Sequence, residues 1–282
     1  MLQEIKVDNR QLLSDLIANN TDLGYFQIQK IIKTKSVKIN GTRVNVDMNV
    51  NKDDVVHVYL PDREKNAIEI VYRDENILVV NKPCGIEVQG DDSVKSRLNA
   101  TLTDGTVTAV HRLDRNTTGL VVFALNKTAE TELLNSFKER EIDKTYSVIV
   151  VGKPRQSSAT LKAFLFKDAK KSMVYVSDTP KTGYVPIETQ YRLVKNMGEL
   201  SLLEVKLISG KTHQIRAHLA HIKLPVLGDG KYGINKINRR YRVKTQLLCC
   251  TKIMFHFKQG PLKYLDKKSV VLNVDLTQYY KK

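Results

Sequence analysis

Residues 109–124 read AVHRLDRNTTGLVVFA, and no other stretch restricts the fold as severely. Gly119, Leu120, Val121, Val122 and Phe123 form an unbroken apolar run with β-branched members, the pattern of an interior strand covered on both faces. The polar residues just before it, His111, Arg112, Asp114, Arg115, Asn116 and Thr117, then lie on a loop at that strand's mouth. A carboxylate among two arginines and a histidine stays ionised, because neighbouring positive charge favours its charged form. Such an aspartate can serve as nucleophile or base. Equally, Asp114 could do no more than cap a turn and hold the loop through an arginine.

The segments before this strand divide the chain. Leu12, Leu13, Leu16 and Ile17, then Ile28, Ile31 and Ile32, recur at helical spacing on either side of a break around Asn20 to Gly24. SVKINGTRVNV follows, with alternating apolar residues either side of Asn40-Gly41, the signature of a tight hairpin. Residues 1–60 therefore read as a small αβ unit and 61–67, PDREKNA, as a charged linker. From residue 68 to residue 282 a second, larger domain is expected. In it Ile77 to Val80 is a dense apolar strand that delivers Lys82 to a Pro-Cys-Gly turn, where ligand-contacting loops are commonly placed.

Beyond the central strand, Leu133, Leu134 and Phe137 mark a helix with Asn126 or Thr128 as its cap. DKTYSVIVV is a strand with Lys144 and Tyr146 on one face. Residues 159–207 read as an antiparallel meander. Ile215, Leu219 and Ile222 give a helix that Ser209 or Thr212 can cap and that projects Arg216 about one turn in. KINRRYRVK, residues 236–244, is a basic run that either grips a phosphate backbone or is a solvated loop. Strands are expected over 247–251, 253–257 and 270–274, ahead of a frayed tail at Tyr279 to Lys282.

Charge narrows the partners. With 46 Lys and Arg against 30 Asp and Glu the formal charge is +16, which favours a polyanion, nucleic acid first. No apolar run approaches the length of a spanning helix and no signal-peptide pattern opens the chain, so a cytoplasmic protein without a membrane partner is expected. Three cysteines, two of them adjacent, make no disulfide framework. Neither CxxC nor HExxH occurs, so no metal is expected; of His213, His218 and His221, one is read as near the site and two as packing or surface residues.

NKPCG, HRLDRNTTGL, DKTY and KTHQIR with a following LGDGKYG occur in that order. Together they resemble the pseudouridine synthases of large-subunit rRNA and tRNA, in the branch whose central motif begins His-Arg-Leu-Asp. The resemblance spans Ile68 to Leu276. It implies an α+β fold, a mixed, largely antiparallel sheet with flanking helices and a central active-site cleft. It also implies isomerisation of uridines in structured RNA, rRNA or tRNA, with no cofactor and no bound nucleotide, by a protein expected to be a monomer. The small N-terminal αβ unit resembles the RNA-binding module first seen in a ribosomal small-subunit protein, although its second helix opens with Gly24-Tyr25-Phe26 rather than Ser-Arg.

Carried over by position, the catalytic residues are Asp114, Tyr146 and Arg216, and Leu248 backs the target base. Lys82, His111, Arg112, Thr117 and His213 are placed against substrate, Lys33, Lys38 and Arg43 on the first module against RNA, and Arg239 and Arg240 on the basic run. Thr118, Lys211 and Cys249-Cys250 depart from the usual serine, arginine and His-Ala. The expected chemistry is attack by Asp114 on the sugar's anomeric carbon, or removal of its 2′ proton, on a flipped-out nucleotide. Tyr146 would stack on the base and could take the proton from the ring carbon. A glycosidase using the same carboxylate would need a second one, for which Glu141, Asp143 and Asp229 are the weak candidates. A non-catalytic RNA binder would explain the charge but not the coexistence of Asp114, Tyr146 and Arg216.

Overall fold

The structure is a computed structural model that describes residues 2–21, 23–59, 67–102 and 105–281. It divides into Met1–Ala67 and Ile68–Lys282. Most of the expected linker, residues 61–66, lies outside the described residues.

The first unit contains β1 (Leu2–Lys6), β2 (Gln11–Leu12), α1 (Leu13–Asn20), α2 (Tyr25–Lys33), β3 (Val37–Ile39), β4 (Thr42–Val44), β5 (Asn49–Val50) and β6 (Val55–Tyr59). Four strands form an antiparallel sheet in the order β1-β6-β3-β4. Leu13, Leu16 and Ile17 of α1 and Ile28, Ile31 and Ile32 of α2 are buried with Val37, Val56 and Val58, so the two apolar helix stripes and one sheet face make a single core. Asn40 and Gly41 both take positive φ, 49° and 81°, as the hairpin turn requires. Asn40 also accepts from the Val55 amide at 2.9 Å, tying the turn to the third strand.

The second unit is built on β7 (Glu69–Arg73), β8 (Ile77–Lys82), α3 (Val94–Asn99), β9 (Thr108–Ala109), β10 (Thr118–Ala124), α4 (Lys127–Glu139), β11 (Ile142–Val151), β12 (Ser158–Asp168), β13 (Met173–Ser177), β14 (Val185–Asn196), β15 (Leu200–Leu207), α5 (Gln214–His221), α6 (Asn235–Arg240), β16 (Leu248–Phe255) and β17 (Ser269–Val271). Its sheet runs β13-β12-β14-β15-β11-β16-β10-β8-β7, with β17 on β16 and β9 on β10. Among the described residues only the β10–β16 ladder is parallel; the other ladders are antiparallel. This is the mixed, largely antiparallel α+β class.

The central run is an interior strand: Leu120 to Phe123 are fully buried between β8 and β16. Gly119 has φ +103°, and a Cβ there would collide with the Cys250 backbone, so only glycine lets β10 approach β16. Asn126 caps α4 by accepting from the Ala129 amide at 2.9 Å. In the β11–β16 ladder Thr145 faces Lys252 but Tyr146 faces Cys250, a bulge that leaves Thr251 extra and re-aims Tyr146.

Four expectations differ from the structure. The strands expected over 247–251 and 253–257 are one continuous strand, β16, because nothing in that stretch interrupts the ladder. Neither Ser209 nor Thr212 caps α5; His213 occupies that position in the left-handed region at φ 54°, and the Gln214 side chain accepts from Ser209 and from the Lys211 amide instead. The basic run is not a loop throughout, since α6 forms and Tyr241 is buried with its hydroxyl on Glu199 at 2.9 Å. The tail is held: residues 276–279 form a short 3-10 turn and Tyr280 packs edge-on against Tyr241 at 5.6 Å.

Candidate active site

Asp114 sits on the turn between β9 and β10, and three anchors shape that turn. The Asp114 carbonyl accepts from the Thr117 amide at 3.0 Å. Thr117 is buried and its hydroxyl accepts from Gln246 at 2.8 Å. Lys82, fully buried, donates to the carbonyls of Pro83 (2.8 Å), Ile86 (2.7 Å) and Arg115 (2.8 Å), so one ammonium stitches the turn after β8 to the aspartate loop. Burial pulls its pKa down to about 8, which leaves it charged at neutral pH. Arg115 completes the stitch by donating to the Gly85 carbonyl at 2.9 Å.

The guanidinium comes from α5. Arg216 is buried and donates through Nη1 to Asp114 Oδ2 at 3.0 Å, while Nε and Nη2 bind both oxygens of Asp229 at 2.7 and 2.9 Å. Asp229 is inaccessible and also accepts from the amides of Lys231 and Tyr232. Burial pushes its carboxyl up, but the bonds and charge of Arg216 outweigh that and the net shift is down. Arg216 shifts up overall: burial lowers it, and Asp229 then Asp114 more than restore it. Asn238 of α6 braces the assembly, accepting from the Gly228 amide and donating to the Asp229 carbonyl. Of the three side chains only Asp114 is open, at 21% exposure against 7% for Arg216 and 0% for Asp229.

Tyr146 lies on β11 with Leu248 and Cys250 of β16 on the same sheet face. Burial, then the Cys250 thiol and the Asp114 carboxylate, hold its phenol pKa well above 10. Burial likewise pushes the Cys250 thiol up to about 12, so this wall is uncharged; Cys249 points to the opposite face. His213 binds the Tyr232 hydroxyl at 2.9 Å, and the Tyr232 ring lies 5.2 Å under the Arg216 guanidinium. A cavity of about 220 Å³ adjoins the aspartate loop, lined by Glu87, Val88, Gln89, Ala109, Val110, His111 and Arg112.

The structure thus brings Asp114, Arg216, Tyr146, His213 and Leu248 to one region and reassigns several neighbours. Lys82 and Thr117 cannot meet a substrate directly, because both are buried and their polar atoms are engaged by the protein. His111 accepts from the Val122 amide at 2.9 Å through Nε2 and packs on Phe137 at 4.5 Å. Burial drives its pKa well below 6.5, so its ring is neutral with the proton on Nδ1, and it supports the loop rather than presenting charge to RNA. Arg112 is exposed, and the ion pair to Asp114 comes from Arg216. Arg240 pairs with Glu199 at 2.9 Å, and Arg239 beside it is exposed.

On the first unit, Lys38 and Arg43 approach the Tyr59 ring at 5.5 and 5.9 Å and Lys33 is exposed. His218 binds Thr189 and His221 binds Asp178. Glu141 accepts from Ser136, and Asp143 pairs with Lys206 and His256. Asp229 reaches Asp114 only through Arg216. Among the described residues no cluster of three or more His, Cys, Asp or Glu could hold a metal. The sequence offers Asp229 only as a weak candidate second carboxylate and gives no role to Tyr232, Asn238 or Gln246; LGDGKYG holds Asp229 and Tyr232, while Asn238 and Gln246 lie beyond it.

The RNA pseudouridylate synthase family model matches residues 76–221. An uncharacterized RNA pseudouridine synthase of Mycoplasma capricolum is 35% identical over 277 aligned positions, covering 88% of each chain. One from Aquifex aeolicus is 34% identical over 257, covering 82% of this chain and 79% of the relative. Ribosomal large subunit pseudouridine synthase C of Rickettsia bellii is 29% identical over 238, covering 74% and 78%. Among solved structures, human RNA pseudouridylate synthase domain containing 1 superposes with a TM-score of 0.61 at 24% identity, covering 78% of this chain and 94% of that one.

Proposed function

The chain belongs to the RNA pseudouridylate synthase family and isomerises uridine to pseudouridine in RNA, and on that premise we propose that its substrate is large-subunit ribosomal RNA and that Asp114, Arg216 and Tyr146 carry the reaction. The rRNA assignment rests on relatives such as the Rickettsia enzyme, whose name specifies that substrate. The roles rest on one observation: in the buried Asp114–Arg216–Asp229 group only Asp114 opens outward.

The glycosidic bond must break, the freed uracil must turn over, and ring carbon 5 must join the sugar. No group is lost and no electron is transferred to a partner. Asp114 attacks the anomeric carbon, or removes the 2′ proton to give a glycal; both routes use the same carboxylate and regenerate it. Arg216 orients that oxygen by a charge-assisted bond and is itself locked by Asp229. Tyr146 backs the base as a neutral phenol. Burial keeps the phenol protonated, so its oxygen has no charge with which to take the proton from the ring carbon, which argues against the expected proton abstraction by this residue. The released carboxylate of Asp114 is the better acceptor for the proton leaving carbon 5. Leu248, Cys250 and Tyr146 exclude water, protecting the activated sugar from hydrolysis.

Hydrolytic chemistry has less support, since Glu141 and Asp143 are engaged away from the aspartate loop and Asp229 is sealed behind Arg216. The first module, residues 1–60, and the basic residues Arg239 and Arg240 are assigned to holding the RNA while the nucleotide is everted.

The test is tritium release from [5-³H]uridine-labelled large-subunit rRNA taken from cells that lack the gene. Wild type should release tritium and Asp114→Asn should not, with RNA affinity unchanged within about threefold, because a carboxylate-to-amide change removes no positive charge. Turnover by Asp114→Asn near the wild-type rate refutes the residue assignment. Release from tRNA alone refutes the substrate.

A further inference from the structure

The β12–β13–β14 meander has one face packed on α5: Ala163, Leu165, Val174 and Ile187 are buried with Ala217. Strand alternation turns the intervening side chains the other way, and there Phe166 and Tyr175 are 36% and 40% exposed. They face each other directly across the β12–β13 ladder. Tyr184 continues the row, its ring stacked on Phe166 at 5.4 Å and 25°. Two exposed aromatic rings and a half-buried third, adjoining on a sheet surface, lose burial energy unless something covers them.

The charge around the row points to what that is. Lys170, Lys171 and Lys181 are exposed at its ends, and the Lys181 ammonium sits 5.8 Å over the Tyr184 ring. Two local carboxylates are already engaged, Asp168 by Lys171 and Glu188 by Lys162. Lys170 and Lys181 have no carboxylate partner among the described residues. Aromatic rings flanked by unpaired cations suit an unpaired nucleic-acid strand, whose bases stack while its phosphates meet the lysines. An A-form duplex hides its bases and would gain only the charge.

Position ties the row to the catalytic site. β13 is the sheet's edge strand, and its Val174 amide, next to Tyr175, donates to the Tyr232 hydroxyl at 2.9 Å. That same hydroxyl binds His213 and its ring underlies Arg216. Lys231 also reaches across to the Ser172 carbonyl at 2.6 Å. A strand leaving the nucleotide at Asp114 and passing over the β13 edge therefore meets Tyr175 next.

We propose that Tyr175, Phe166 and Tyr184, with Lys170 and Lys181, form a stacking platform for an unpaired RNA segment flanking the modified uridine. This rests on the RNA-modifying function above and extends it to a substrate-selecting surface outside the catalytic site.

The chain has no tryptophan, so Tyr175→Trp in an Asp114→Asn background reports on this one position without turnover. Titration with a 12-nucleotide oligouridylate should quench the emission saturably, while a 12-base-pair RNA duplex and heparin should not. Adding Phe166→Ala should raise the half-saturating concentration about tenfold, the effect of losing one stacking ring. No quench at oligouridylate concentrations that saturate binding by anisotropy overturns the platform. Equal quenching by heparin reduces it to a charged patch, and emission that changes with protein concentration alone assigns the face to a second copy; either result also overturns it.

In otherwise wild-type enzyme, Phe166→Ala with Tyr175→Ala should raise KM on rRNA by more than about tenfold and leave kcat unchanged, a readout that does not depend on the tryptophan variant folding. An unchanged KM overturns the proposal as well. Absence of tritium release by the wild-type enzyme would instead defeat the function proposed above, and the quench would still report on the platform.

Discussion

Replacing Lys82 by Met separates a structural ammonium from a substrate-binding one. The side chain keeps its unbranched shape, one atom shorter, but loses all three donors. The Pro83 and Ile86 carbonyls then have no other donor among the described residues, whereas Arg115 keeps the Gly85 amide at 3.0 Å. Each carbonyl that loses its donor costs about 1–3 kcal/mol where water cannot replace it. Not having to desolvate an ammonium returns part of that, so the net loss should be about 2–4 kcal/mol. At about 2–4 °C per kcal/mol for a unit of this size, Tm should fall by about 4–16 °C in a calorimetric scan. The aspartate loop is stitched by the same bonds, so kcat on rRNA should fall at least about tenfold even below the new Tm, as misplaced catalytic groups do. RNA affinity should change little, because the lost charge never faces solvent. An unchanged Tm with a raised KM would refute this reasoning and return Lys82 to the substrate.

Asp229→Asn should lower kcat by roughly 10- to 100-fold with KM within about twofold, because Arg216 loses its locking partner while every exposed surface stays as it was; single-turnover tritium release is the assay, and a rise in KM with kcat intact would contradict it. Stability should fall in acid: burial holds His218 near a pKa of about 4 and His111 well below 6.5. Below 6.5 the unfolded chain takes up protons that the folded one refuses, so stability declines as pH drops from 6.5 towards 4, with His218 contributing roughly 3 kcal/mol across that window. Urea denaturation at pH 6.5 and 4.5 measures this, and His218→Gln should flatten the slope; an equal slope would assign the acid sensitivity elsewhere.

Local chemistry explains what could be read without coordinates. The Asn40-Gly41 hairpin needs only two residues that accept positive φ. The burial of β10 follows from its apolar, β-branched composition, and the amphipathic stripes of α1, α2 and α4 from their spacing. Asp114, Tyr146 and Arg216 were identified by the order of four motifs, not by any contact. The misreadings have local causes too: the apolar residues of β16 show no register, and a basic run looks the same in a helix as in a solvated loop.

By itself, then, the sequence determined the apolar strand β10, the hairpin turn and the division near residue 67, because these depend on residue type, periodicity and turn preference within a few positions, while the fold class and the candidate carboxylate Asp114 followed from the resemblance that four ordered motifs carry. Only the tertiary structure decided how that carboxylate is held. Arg216 meets Asp114 across 102 positions of chain and Gln246 meets Thr117 across 129. The ammonium of Lys82 turned inward because three carbonyls converge on it, and Asp229 became part of the site because a buried guanidinium with two sides needs a second anion. Contacts of that kind depend on where distant segments finish in space, and no local pattern of residues encodes them.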